Sequence, residues 1–167
     1  MVPLLRDHDV PDGDERVSLH IEPYVKEDAC ASSGREFRTK NELTVRLVDR
    51  ALEHVRPSVV VFDLWHGSQE VMGHLDSRGL RFVTESKSKQ LIEGGGRKQV
   101  RDYLADHQNE FEEVETGTGY RFVHEMKNEI KGGLVVKFVL LKQRLVLKAL
   151  VLMTNALDMP EDEVIIS

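Results

Sequence analysis

The chain has 167 residues, of which 40% are hydrophobic and 31% charged, a composition that predicts one globular domain and excludes a disordered or fibrous protein. Its net charge of −6 and pI of about 5.7 count against DNA as a partner, because nucleic-acid binders are usually basic. Charged side chains interrupt the longest apolar stretch, residues 134–153, and no signal-peptide pattern is present, so we expect a cytoplasmic protein without a membrane span. The single cysteine excludes an internal disulfide and a cysteine-based zinc site.

The first two predicted elements are a strand and a helix. Val17, Leu19 and Ile21 alternate along residues 16–25, which predicts a strand that stops at Pro23. Thr39 followed by Glu42 is the pattern of a capping box and predicts the start of a helix. Beyond this cap, apolar residues recur at helical spacing, at Leu43, Leu47, Val48, Ala51, Leu52 and Val55.

Residues 58–86 predict a strand, a helix and a second strand. The run SVVVFD at 58–63 is apolar on both faces, which is typical of a central strand covered on each side. Ser68 is a candidate N-cap for the next helix, Gly79 ends that helix, and residues 80–86 form the following strand. Because the connections are short, we expect parallel neighbouring strands and an α/β core over residues 17–90.

The second half of the chain is rich in residues that favour β-strands. A flexible glycine loop at 94–96 and a short helix after residue 98 come first. Three stretches rich in Val, Leu and Phe follow, and Gly132–Gly133 predicts a tight turn between the first two. We expect residues 116–155 to extend the sheet with antiparallel strands or to form an inserted β-ribbon.

Asp63 is the leading candidate for a functional residue. Ligands of open α/β sheets bind beyond the carboxyl ends of parallel strands, and Asp63 stands at such an end. A carboxylate there is suited to bind Mg²⁺, which prefers oxygen ligands. The alternative is that Asp63 only caps the following helix, and the residue pattern leaves these two hypotheses open.

Candidate contacts to phosphates and bases lie beside Asp63 and in the stretch 78–101, which holds seven cationic and two acidic residues. The alternative for this stretch is a solvated basic face. The alternatives for the loop residues are an exposed His without a role, and a Trp that packs against the strand instead of stacking on bases. The candidates are Trp65, His66, Lys87, Lys89, Arg97 and Lys98.

Taken in order, several motifs resemble those of the DDE transposases of the insertion-sequence type. In that family an extended segment with a Tyr precedes a helix that begins with Thr-Lys, a strand ends in Asp with Gly-Ser shortly after, and a further strand leads to a Lys. The similar pieces here are Tyr24, Phe37–Lys40, Asp63–Ser68, Leu75–Gly79, Phe82–Val83 with Lys87, and the stretch LVLMTNALDMPEDEVI at 150–165. The resemblance covers residues 17–165.

The resemblance implies a ribonuclease-H-like fold with a β-rich insertion, and DNA, at transposon ends, as the partner. In such enzymes three carboxylates hold two Mg²⁺ or Mn²⁺ ions for phosphoryl transfer to DNA. Asp63 matches the second carboxylate, so the resemblance makes it a catalytic residue and a metal ligand. It also implies that residues 1–167 are one partial catalytic domain, which could form a homodimer.

The family's other two acids have no match in this sequence. Its first Asp belongs upstream of the similar segment, and its Glu belongs on a helix beyond residue 165, so we expect a truncated chain that is inactive as a nuclease by itself. Without the neighbouring elements, we also expect the apolar faces of VVVFD and LVLKALVLM to be partly uncovered and prone to aggregation.

Two further hypotheses come from other functional classes. The strand ending in Asp63 also resembles the phosphoacceptor strand of a response-regulator receiver domain, which would make the chain a signalling module. The third hypothesis is a non-catalytic remnant that binds DNA through Arg78, Arg81, Lys87, Lys89, Arg97 and Lys98.

Overall fold

The computed structural model describes residues 23–87, 89, 91–92, 98–106, 112–113, 122–142 and 149–166. Most of the strand predicted at 16–25, the glycine loop at 94–96 and Arg97 lie outside the described residues. Of the predicted first strand only Pro23, Tyr24 and Val25 are described, and these three residues are not part of a strand.

The described part of the chain forms five helices, which are α1 (Glu27–Ser33), α2 (Lys40–Leu52), α3 (Gln69–Ser77), α4 (Val100–Asp106) and α5 (Glu161–Ile166). The capping box of α2 is confirmed, since the Thr39 hydroxyl accepts from the Glu42 amide at 3.2 Å and the Glu42 carboxylate accepts from the Thr39 amide at 2.7 Å. The Ser68 hydroxyl caps α3 by accepting from the Val71 amide at 3.2 Å. Among the described residues, no helix has the length and hydropathy to cross a bilayer.

The described strands are β1 (Val60–Phe62), β2 (Phe82–Glu85), β3 (Leu91–Ile92), β4 (Lys98–Gln99), β5 (Glu112–Glu113), β6 (Phe122–Glu129), β7 (Val135–Lys142) and β8 (Ala149–Thr154). Six of them form one sheet in the order β1-β2-β8-β7-β6-β5, while β3 and β4 form a separate antiparallel ribbon. In the described sheet β1 and β2 are parallel, and the other neighbours are antiparallel. The fold is mixed α/β, which confirms the predicted parallel strand-helix-strand unit and the antiparallel extension.

The turn between β6 and β7 lies where the paired glycines predict it. Gly132 and Gly133 have φ angles of 101° and 85°, in the left-handed region that favours glycine. The Gly133 amide donates to the Ile130 carbonyl at 3.1 Å, and the Ile130 amide donates to the Leu134 carbonyl at 2.9 Å. This hairpin brings β6 and β7 together over eight paired residues.

The hydrophobic core lies on both faces of the sheet, with β7 at its centre. Val136, Phe138 and Leu140 belong to the larger cluster, which α3 and α4 complete. Val139 and Leu141 belong to the smaller cluster on the other face, where α5 and the segment before it pack. All five side chains are fully buried, so β7 has the double coverage of a central strand.

Within the described sheet, residues 60–62 do not form the central strand that the run at 58–63 predicts. β1 is the last strand of the described sheet, and its Val61 side chain is 54% exposed. β8 pairs with the far edge of β2 and not with β1. In the described sheet, therefore, only one edge of β1 is paired. The apolar residues of VVVFD are partly uncovered at Val61, as expected. In the described part of LVLKALVLM, Val151 and Met153 are buried and Leu150 and Leu152 are partly buried.

Candidate functional site

Asp63 directly follows β1 and closes a turn over residues 63–66. Its Oδ1 accepts hydrogen bonds from the amides of Trp65 at 3.0 Å and His66 at 3.3 Å. The hypothesis that Asp63 caps α3 is wrong, because Ser68 caps that helix. The Asp63 side chain is 62% exposed and both bonds use the same oxygen, so the carboxylate is accessible to a ligand from solvent.

His66 is held in one orientation beside Asp63. Its Nδ1 lies 2.8 Å from the Thr44 hydroxyl on α2, and that hydroxyl already donates its one proton to the Lys40 carbonyl at 2.9 Å. Thr44 can therefore only accept from His66, which places the proton of the neutral imidazole on Nδ1. The other ring nitrogen, Nε2, lies 3.9 Å from Asp63 Oδ1. Sequence reasoning missed this contact because Thr44 lies 22 positions away.

Trp65 does not pack against the strand as one hypothesis held. Its side chain is 78% exposed, and the Nζ of Lys40 lies 5.9 Å from the centre of the indole ring. The same Nζ lies 5.4 Å from the ring centre of Tyr24, which is also exposed. We call Tyr24, Lys40 and Trp65 the aromatic patch. It adjoins Asp63 through the turn that carries Trp65.

The end of β2 that leads to Lys87 lies at the same end of the sheet as Asp63. β1 and β2 are parallel, Phe62 pairs with Thr84, and the Thr84 hydroxyl donates to the Asp63 carbonyl at 3.4 Å. Lys87 follows the end of β2 by two residues, and both Lys87 and Lys89 are exposed. Both ammonium groups are therefore accessible from solvent.

The other predicted cations are engaged with acids or lie outside the described residues. Lys98 donates to Asp106 at 2.8 Å, and this hydrogen bond raises the pKa of the lysine. Arg78 forms an ion pair with Asp49 and Arg81 with Asp158, both at 2.9 Å. Arg97 is not described. In the stretch 78–101, Arg78, Arg81 and Lys98 are therefore paired with acids. Lys87 and Lys89, which follow β2, are exposed.

An open apolar groove extends from His66 along β1. It has a volume of about 370 Å³, and Leu47, Val48 and Ala51 of α2 line it together with Val61 of β1. The groove is open because β1 is the terminal strand of the described sheet. Apolar surface therefore lies next to the polar end of β1.

A second polar cluster is buried beside β7. Lys137 of β7 is 2% exposed, and its Nζ contacts Glu125 Oε2 at 3.3 Å and donates to the Met159 carbonyl. Burial, and then a hydrogen bond to Glu161, raises the pKa of Glu125, and the same hydrogen bond lowers the pKa of Glu161. Glu125, Lys137 and Glu161 thus link β6 and β7 to the start of α5. Sequence reasoning missed it, since Lys137 gave no signal of burial.

Metal coordination needs more ligands than the described residues bring to Asp63. Over the ranges that the structure describes, no group of three or more His, Cys, Asp or Glu side chains could hold a metal ion. Two Mg²⁺ ions require several oxygen ligands, and Asp63 supplies one carboxylate beside a single imidazole. These residues do not fit a complete two-metal site.

Comparison with known proteins does not assign the chain to a family. No protein-family model matches the sequence, and no curated protein matches it either. The transposase resemblance therefore stands on the motifs of the sequence alone.

Proposed function

We propose that this chain is part of the catalytic domain of a DNA transposase, in which Asp63 is one carboxylate of a metal-dependent phosphoryl-transfer site. The observation that carries the proposal is the accessible Asp63 carboxylate at the carboxyl end of β1, next to the parallel strand β2. This is where open α/β sheets bind their ligands. The ordered motifs around Asp63 and the exposed Lys87 support the same reading.

We further propose that the α/β core is of the ribonuclease-H-like type with an antiparallel insertion. The parallel unit β1-α3-β2 supports this proposal, and so does the antiparallel extension through β8, β7 and β6. In such folds the carboxylates of the site come from different strands and helices. The exposed edge of β1 is a place where a further strand could supply one of them.

Mg²⁺ or Mn²⁺, when bound, would polarise the phosphate and activate the attacking oxygen, and Asp63 is the residue that would hold it. Because a single carboxylate does not position two hydrated ions, we expect the chain by itself to be inactive on DNA. Incubation of plasmid DNA with the purified chain and Mg²⁺ or Mn²⁺ is expected to produce no nicks. Nicking that Asp63→Asn abolishes would contradict this expectation.

The proposal is tested by the genomic DNA on either side of the coding region. We expect an upstream frame for a strand with Asp-Asp or Asp-Thr, and a downstream frame for a helix with the pattern Tyr-x-x-Arg-x-x-x-Glu. A protein joined from all three segments should cut and transfer DNA with Mg²⁺, and Asp63→Asn should abolish this activity. Asp162→Asn, at an exposed acid on α5, is the matched control and should leave it unchanged. A joined protein without activity, or one indifferent to Asp63→Asn, would overturn the proposal.

The two alternatives have less support. A receiver domain needs an acidic pair beside its phosphoacceptor, and the described residues place no such pair at Asp63. Labelling by acetyl phosphate that is lost in Asp63→Asn would favour the receiver.

A DNA-binding remnant would bind DNA through a set of cations. Three of them, Arg78, Arg81 and Lys98, are already paired with acids.

A further inference from the structure

Trp65 is presented to solvent by a turn that is well defined. It is the one tryptophan of the chain, and 78% of its side chain is exposed, although tryptophan is usually largely buried. The Asp63 carboxylate binds the amides of Trp65 and His66, and His66 is bound in turn to Thr44 on α2. The backbone that carries the indole is therefore held from both sides.

Lys40 places a positive charge between two aromatic rings. It is the first residue of α2, after the Thr39 cap, and its Nζ lies within 6 Å of the ring centres of both Tyr24 and Trp65, at 5.4 Å and 5.9 Å. Tyr24 is supported from behind by Phe37, whose ring meets it edge-on with centres 6.5 Å apart. The patch thus presents a Tyr24 ring supported by Phe37, an exposed Trp65 ring on a held backbone, and one ammonium group.

We propose that the aromatic patch binds single-stranded DNA, with unpaired bases stacked on Trp65 and Tyr24 and a backbone phosphate at Lys40. The inference rests on the proposed function and deepens it, because it states the form of DNA that lies beside Asp63. Base stacking on aromatic side chains is the general mode by which proteins hold single strands without reading their sequence.

Charge favours a single strand over a duplex as the occupant. Duplex affinity comes from many phosphate contacts, whereas the chain has a net charge of −6 and the patch holds one lysine. Stacking needs only an exposed base, which a duplex keeps inside its own stack. An apolar protein partner fits less well, because it would bury the Lys40 ammonium without an anion.

The sole tryptophan makes the test direct. Titration of the metal-free chain with an oligothymidylate of about 12 nucleotides is expected to quench the Trp65 fluorescence. Affinity, measured by anisotropy of a labelled oligonucleotide, should fall about tenfold or more in Trp65→Ala and be largely restored in Trp65→Phe, since phenylalanine keeps a ring for stacking. Lys40→Gln should reduce the salt dependence of binding by about 0.7 in the log–log slope, as expected for one phosphate contact.

Lys127→Gln, at an exposed lysine on β6, is the matched control and should bind as tightly as the unmodified chain. Equal affinity for Trp65→Ala and the unmodified chain, or tighter binding of the duplex of the same length, would overturn the inference. The result is separable from the transposase proposal, because binding is measured without metal and should persist in Asp63→Asn. Binding that persists while the joined protein is inactive supports this inference alone.

Discussion

Both polar clusters described above contain acidic and basic side chains, but only one of the clusters is buried. At the end of β1, Asp63, His66 and Lys40 surround an exposed turn, and the Asp63 side chain is 62% exposed. In the second cluster, Lys137 meets Glu125 and the start of α5 with 2% exposure. A buried charge must be fully partnered, so the Lys137 cluster is explained by stability, while the accessible groups at Asp63 remain available to a ligand.

The same contrast holds for the two strands that carry these clusters. β1 contains only apolar residues and yet leaves Val61 exposed, whereas β7 contains Lys137 in its middle and is covered on both faces. β7 pairs with β6 on one side and β8 on the other, and β1 pairs with β2 alone in the described sheet. The number of neighbouring strands, and not the hydropathy of the strand itself, decides which is central.

The largest expected effect is the difference in stability lost when a buried side chain of β7 and an exposed side chain of β1 are truncated. Phe138→Ala on β7 should lower the free energy of unfolding by about 4 kcal/mol, because it leaves a cavity at a fully buried position. Val61→Ala on β1 should change it by less than about 0.5 kcal/mol, because that side chain is half exposed. Urea unfolding of both variants measures the difference. Similar losses at the two positions would show that β1 is covered in solution.

The next effect concerns the buried lysine. Lys137→Met should cost about 3 kcal/mol of unfolding free energy, because it leaves Glu125 and the Met159 carbonyl without their partner. Lys127→Met, at an exposed position on the neighbouring strand, is the control and should cost less than about 0.5 kcal/mol. Equal stability of the two variants would mean that the Lys137 cluster does not hold α5.

The smallest effect is the pH dependence of the same cluster. The pKa of Glu125 is raised in the folded protein, so its contribution to stability is present at low pH and is lost as the pH rises through the folded value, above 4.5. The lowered pKa of Glu161 acts in the opposite sense, with a contribution that is lost as the pH falls through a value below 4.5.

Glu125→Gln removes the titration of this carboxyl group and should therefore remove the loss of stability as the pH rises above 4.5. Urea unfolding at a series of pH values on both sides of 4.5 measures it. A variant with the same pH profile as the unmodified chain would contradict the raised pKa of Glu125.

Local features of the fold were predictable from the sequence, because nearby residues determine them. Thr39 with Glu42 and Ser68 mark helix starts through bonds that span three residues, and Gly132–Gly133 marks the turn because few other residues adopt its φ angles. The placement of Asp63 at the exit of a strand was predictable for the same reason.

The sequence by itself predicted helix α2, the parallel unit β1-α3-β2 that ends beside Asp63, and the β-rich second half, but not helices α1 and α5. Only the tertiary structure decided that β1 lies at the end of the described sheet, that Lys137 is buried, and that His66 is bound to Thr44. These features depend on contacts between residues that are far apart in the chain. Hydropathy and spacing report what a segment can form, but partners brought together by folding decide which of its groups stay accessible.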